Sequence, residues 1–76
     1  MKNKLLRIFV ETFPDAKFNE NDFENLEVNS INDWDSIGNL NLLVNIESSF
    51  NIKFSSMELS EIKSIKAILE FLNKKK

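Results

Sequence analysis

Apolar residues recur along this chain at the spacing of helices and not with the alternation of strands. The first run, from about Asn3 to Phe13, puts Leu5, Leu6, Ile8, Phe9 and Phe13 in the core, and Pro14 ends it because its ring disfavours helical backbone at the preceding residue. From 14 to 35, Phe18, Phe23, Leu26, Val28 and Ile31 are scattered among Asn and acids without a clear period. That pattern predicts a long connection anchored along the helices by its own side chains. A second helix is expected from about Ser36 to Phe50. A short one should begin after Ser55 or Ser56, since Ser55 and Glu58 have capping-box spacing. The last should run from Ser64 to about Asn73, carrying Ile65, Ile68, Leu69 and Leu72. With one Gly and one Pro in the chain, tight hairpins have little support, and the expected class is all-α.

The second helix departs from the ordinary amphipathic pattern. At about 100° per residue, Leu42, Ile46 and Phe50, with Leu43 beside them, make a core-facing stripe. Ile37, Leu40 and Val44 make a second apolar stripe roughly opposite, edged by Asn41, Glu47 and Ser48. A helix apolar on two sides is either wrapped by protein or offers one side to a partner. Two outcomes follow: the long connection, through Phe18, Phe23 and Ile31, covers the outer stripe, or it leaves a partner surface open.

Composition narrows the function. Seventy-six residues make one domain, 1–76, which buries about 60% of the unfolded chain's surface. Hydrophobic residues at 42%, including seven Phe and one Trp, separate the chain from disordered sequences despite its many Asn and Lys. The absence of Cys excludes a disulfide framework and zinc-thiolate sites, and the opening MKNKLLRIFVETF is too short and too charged for a signal peptide or spanning helix. A soluble, cytoplasmic monomer without membrane insertion is expected. A net charge of -2 offers no basic surface for nucleic acid, and no helix after a turn carries the Lys and Arg of a DNA reader. Acids crowd Asp15 to Asp35, while Lys74, Lys75 and Lys76 suit the negative end of a terminal helix.

Attention then falls on WDSIGNLNLL, Trp34 to Leu43. Asp35 or Ser36 can cap the helix, and Asp33 and Asp35 favour the positive end of its dipole. Ser36 is not a hydrolase nucleophile, because such a serine needs a base and the chain has no His. A helix N-terminus does, however, favour an anionic modification, since its free N–H groups and dipole stabilise a phosphate ester. Trp34 reads as a packing anchor for the connection. Gly38 lies in the first helical turn, where it costs about 0.5–1 kcal/mol against Ala. It either gives a modifying enzyme or an attached group close access to the helix, or is neutral.

The stretch DWDSIGNLNLLVNIESSFNIKFSSMELSEIKSIKAILEFL, Asp33 to Leu72, resembles the acyl carrier protein family. Asp35-Ser36-Ile37 is similar to the family's Asp-Ser-Leu signature, with Ile third. The helix ending at Glu47 and Phe50, Phe54 in the loop, Leu59 and Ile62 in a short helix, and Ser64 opening the last helix fall in register. The lead-in helix and long connection extend the likeness over nearly the whole chain. It implies a four-helix bundle of three main helices and one short one. Ser36 would carry 4'-phosphopantetheine as cofactor, with Asp35 the adjacent acid of the motif. It further implies modification by a phosphopantetheinyl transferase using coenzyme A and magnesium, and traffic with acyl-loading and acyl-transfer enzymes. The chain itself would be a carrier and not an enzyme, with Ile37, Leu40, Asn41, Val44 and Glu47 as the docking face. One departure is that Ile37 to Phe50 holds a single acid, Glu47, with Gly38, Asn39 and Asn41 where carriers of fatty acid synthesis have Asp or Glu. Weaker electrostatic steering points to a dedicated pathway. The alternatives are an aminoacyl or peptidyl carrier loaded by an adenylating enzyme, and a helical interaction domain in which Ser36 is only a cap.

Overall fold

A computed structural model describes residues 2–75. Among them are four α-helices, α1 (Lys2–Thr12), α2 (Ser36–Phe50), α3 (Ser56–Glu61) and α4 (Ile65–Lys75), and one 3-10 helix, Glu20–Asn25, in the long connection. The all-α expectation holds, and α2 has the bounds its apolar period predicts. The 3-10 helix was not expected. Its signal was Asn19, whose side chain accepts from the Asn21 N–H at 2.9 Å and starts the turn.

Three helix ends have a local cause in side-chain or αL capping. The αL conformation of Asn51, at φ 55°, closes α2, with its N–H on the Glu47 carbonyl. Ser55 and Glu58 form the expected capping box at α3, with bonds of 3.1 and 2.8 Å. Ser64 Oγ accepts from the Ala67 N–H at 3.1 Å and opens α4. Of the terminal lysines, Lys74 is exposed, α4 runs through Lys75, and Lys76 lies outside the described residues.

Helix α1 lies antiparallel to α2. Asn45 Nδ2 donates to Thr12 Oγ1 at 2.9 Å near one end of the pair. At the other end Lys4 Nζ donates to the Ser49 carbonyl at 3.0 Å and sits 4.7 Å over the Phe50 ring. Leu5, Ile8 and Phe9 of α1 meet Leu42, Leu43 and Ile46 of α2 and Ile65, Ile68 and Leu72 of α4 in one core. Leu6, Phe50 and Leu69, expected in that core, are half-buried at its edge, while Phe71 joins it and stacks on Phe54 at 4.4 Å.

The long connection is bound to this core by aromatic rings. Phe9 makes edge contacts with Phe13, Phe18, Phe23 and Trp34 at centroid distances of 5.1 to 5.4 Å. Such pairs contribute about 0.5–1.5 kcal/mol each beyond their burial. Phe18 and Phe23 therefore face α1, not the outer stripe of α2. Ile37 is 74% exposed and Leu40 and Val44 are each 49% exposed, so the long connection leaves that stripe uncovered.

Candidate functional site

The chain reaches Ser36 through a short closed turn. Asn29 takes φ 77°, its N–H donates to the Trp34 carbonyl at 2.7 Å, and Ser30 Oγ accepts from the Glu27 N–H at 2.9 Å. The αL region is one that Asn visits more readily than most residues, because its short amide side chain can bond locally. The turn is laced to the α3–α4 junction by the Val28 N–H on the Lys63 carbonyl at 2.8 Å and the Ile65 N–H on the Leu26 carbonyl at 3.0 Å. Glu27 and Ser64 form an isolated antiparallel bridge between them.

Asp35, not Ser36, caps α2: its Oδ1 accepts from the Gly38 N–H at 2.8 Å. Ser36 is thereby left as the first residue of the helix, exposed, with its hydroxyl bonded to none of the described residues. Its oxygen stands in solvent at the positive end of the helix dipole.

Two neighbours whose packing roles the sequence does not reveal hold this arrangement. A Cβ on Gly38 would run into the Asp33 carbonyl oxygen and come within 3.0 Å of Phe13 Cε1 and 3.3 Å of Asp35 Oδ1. Glycine stands there because the incoming turn and α1 pack against the first turn of α2, so it is neither an access point nor neutral. Asn39, only 5% exposed, accepts from Trp34 Nε1 at 2.9 Å and donates through Nδ2 to the Ile62 carbonyl at 2.8 Å. One amide thus joins the connection, α2 and the end of α3. Its sequence signal was an Asn at a position i, i+3 and i+7 from the inward-facing Leu42 and Ile46, which only the burial could distinguish from a surface Asn.

Ser36 lines a cleft of about 530 Å³ together with Glu27, Val28, Asn29, Leu59 and Lys63. On the other side of α2, a groove of about 550 Å³ runs against α1, with Ile37, Asn41 and Val44 beside Glu11, Asp33 and Asp35. The residues of the expected docking face accordingly divide. Ile37, Leu40, Asn41 and Val44 are exposed on α2, whereas Glu47 is half-buried and its Oε2 accepts from the Phe54 N–H at 2.7 Å, tying the α2–α3 loop to the helix. Acids of α1 and the incoming turn, Glu11, Asp33 and Asp35, line the groove beside Ile37, Asn41 and Val44. Among the described residues, no group of three His, Cys, Asp or Glu is placed to hold a metal, and no helix is long and apolar enough to cross a membrane.

Comparison of the chain with protein-family models, with curated proteins and with solved structures finds no match.

Proposed function

We propose that this protein is an acyl carrier, a non-enzymatic domain whose Ser36 bears a 4'-phosphopantetheine arm. The observation that carries the reading is the division of labour at Asp35-Ser36. The acid satisfies the helix end, and the hydroxyl beside it is exposed and unbonded at the positive end of a helix of 15 residues. The surroundings fit the group: free N–H groups and the dipole favour its phosphate, and the adjoining cleft can take the arm that follows. In this reading the three longer helices and short α3 form the four-helix bundle of such carriers.

In the modification, Ser36 Oγ attacks the phosphorus of coenzyme A that bears the pantetheine. A P–Oγ bond forms, the pyrophosphate P–O bond breaks, and 3',5'-adenosine bisphosphate leaves. The serine proton passes to a base of the phosphopantetheinyl transferase, so a chain without His needs no base of its own. When attached, the arm supplies a thiol on which an acyl group is carried as a thioester. The polypeptide has no Cys, so that thiol has no competitor on the chain. Ile37, Leu40 and Val44 supply apolar area for the loading and transfer enzymes, and the tether raises the cargo's effective concentration at each of them. The cytoplasm, where coenzyme A is at hand, is the compartment that fits.

Intact mass after incubation with coenzyme A, magnesium and a permissive transferase tests this, with Ser36→Ala in parallel. One phosphopantetheine adduct on the parent and none on the variant is expected. A folded parent that stays unmodified while a control carrier reacts would sink the reading and favour a non-covalent interaction domain, whose docking face would be the same exposed stripe.

A further inference from the structure

The cleft beside Ser36 is where a cargo on the arm would first meet the protein, and its lining has a definite chemistry. Among the residues lining it, Glu27 carries a carboxylate, Lys63 an ammonium and Asn29 an amide, Ser60 has its hydroxyl donated to the Met57 carbonyl, and Val28 and Leu59 are aliphatic. Hydrocarbon binds in dry, apolar-lined cavities, of which one on the order of 150 Å³ already holds a six-carbon ring. This cleft is large enough but too polar.

The way onward from the cleft to the core is closed by satisfied polar groups. Asn39 lines the cleft while buried, with its oxygen on Trp34 Nε1 and its nitrogen on the Ile62 carbonyl. At its flank the turn and the α3–α4 junction are joined by the Val28 and Ile65 N–H groups. An alkyl chain passing between them would strip these bonds and leave donors and acceptors facing hydrocarbon, a heavily penalised state. Behind Asn39, Trp34 is fully buried and packed on Phe9 at 5.2 Å.

Resting on the carrier reading, we propose that the cleft is the seat of a short, polar cargo and that the core does not take up an alkyl chain. An aminoacyl group fits best: its ammonium matches Glu27, and the carbonyl oxygen beside it can accept from Lys63 or Asn29, the Ser60 hydroxyl being already donated to the Met57 carbonyl at 2.8 Å.

The test loads Ser36 by transferase with hydrolysis-resistant amide analogues of alanyl- and octanoyl-phosphopantetheine, beside the bare arm. Backbone amide NMR shifts and thermal midpoints are compared among the three forms. The alanyl form is expected to shift Asn29, Ser60 and Lys63, and Glu27→Gln to diminish those shifts while the arm still attaches. The octanoyl form is expected to leave Phe9, Ile46 and Ile68 and the midpoint as in the bare-arm form. Shifts of those core amides, or a midpoint raised by about 4 °C or more, would show an enclosed alkyl chain and overturn the proposal. So would an alanyl form identical to the bare arm at the cleft. Failure of Ser36 to accept any arm would instead overturn the carrier reading, and the cargo assignment would fall with it.

Discussion

Replacing Asn39 by Ala removes one side-chain amide and leaves two buried partners unsatisfied. The Trp34 indole N–H loses its acceptor at 2.9 Å and the Ile62 carbonyl loses its donor at 2.8 Å. Trp34 is fully buried, so its N–H cannot turn to water without moving the ring out of its contact with Phe9. Each stranded group costs about 1–3 kcal/mol, which makes about 2–6 kcal/mol for the pair. A chain of 76 residues has about 4–11 kcal/mol of stability in all. Asn39→Ala should therefore lower the urea midpoint by about a fifth of its value at the least, as about 2–6 out of about 4–11 kcal/mol implies. The single tryptophan is itself a partner, so unfolding should be followed by helical circular dichroism together with Trp34 fluorescence. Asn39→Asp should be at least as damaging, because it keeps an acceptor for Trp34 but turns carboxylate oxygen toward the Ile62 carbonyl. Asn41→Ala, one turn face away and exposed, is the control and should change stability by less than about 0.5 kcal/mol. If Asn39→Ala also stays within about 0.5 kcal/mol of the parent with unchanged denaturant slope, the two bonds do not hold these segments together and the reasoning is wrong.

Two further outcomes follow from the same region. Gly38→Ala should destabilise by about 1–3 kcal/mol through its collision with the Asp33 carbonyl and Phe13, outweighing the gain of about 0.5–1 kcal/mol in helix propensity; a more stable variant in thermal melts would refute the packing account. On the carrier reading proposed above, replacing Leu40 and Val44 together by Ser should slow transfer from a loading enzyme while preserving helicity and changing stability little, because both are about half exposed; unchanged transfer would show that the stripe is not the docking face.

The electrostatic expectation for partner binding changes once the fold is in view. Along α2 the only acid is Glu47, and its carboxylate is engaged by the Phe54 N–H. Glu11 of α1 and Asp33 and Asp35 of the incoming turn, more than twenty positions apart in the sequence, converge on the groove beside Ile37 and Val44. Steering toward a basic partner would thus come from the flanks of the helix, and it should weaken as salt rises.

Helices were legible in the sequence wherever the cause was local. The bounds of α2, the stop at Pro14, the Ser55–Glu58 box and the Ser64 cap depend on residues within one or two turns of each other, so spacing along the chain predicted them. The prominence of Ser36 was also local, since it rests on a serine following an acid at the head of an apolar period. Which of the two residues caps was not, because both side chains can reach the same N–H groups; in the fold it is Asp35. The fate of the outer stripe lay in the rotation of Phe18 and Phe23 toward Phe9, a choice between two apolar surfaces that pattern alone cannot rank. Asn39 and Gly38 show the limit most plainly. Read along the helix, one is a surface amide and the other a weak helix former; in the fold, one is a buried junction of three segments and the other the gap that lets a carbonyl pass. Sequence determines elements through short-range periodicity and capping, whereas those roles arise between residues far apart along the chain, Asn39 and Ile62 or Gly38 and Phe13, whose meeting exists only once the chain has closed on itself.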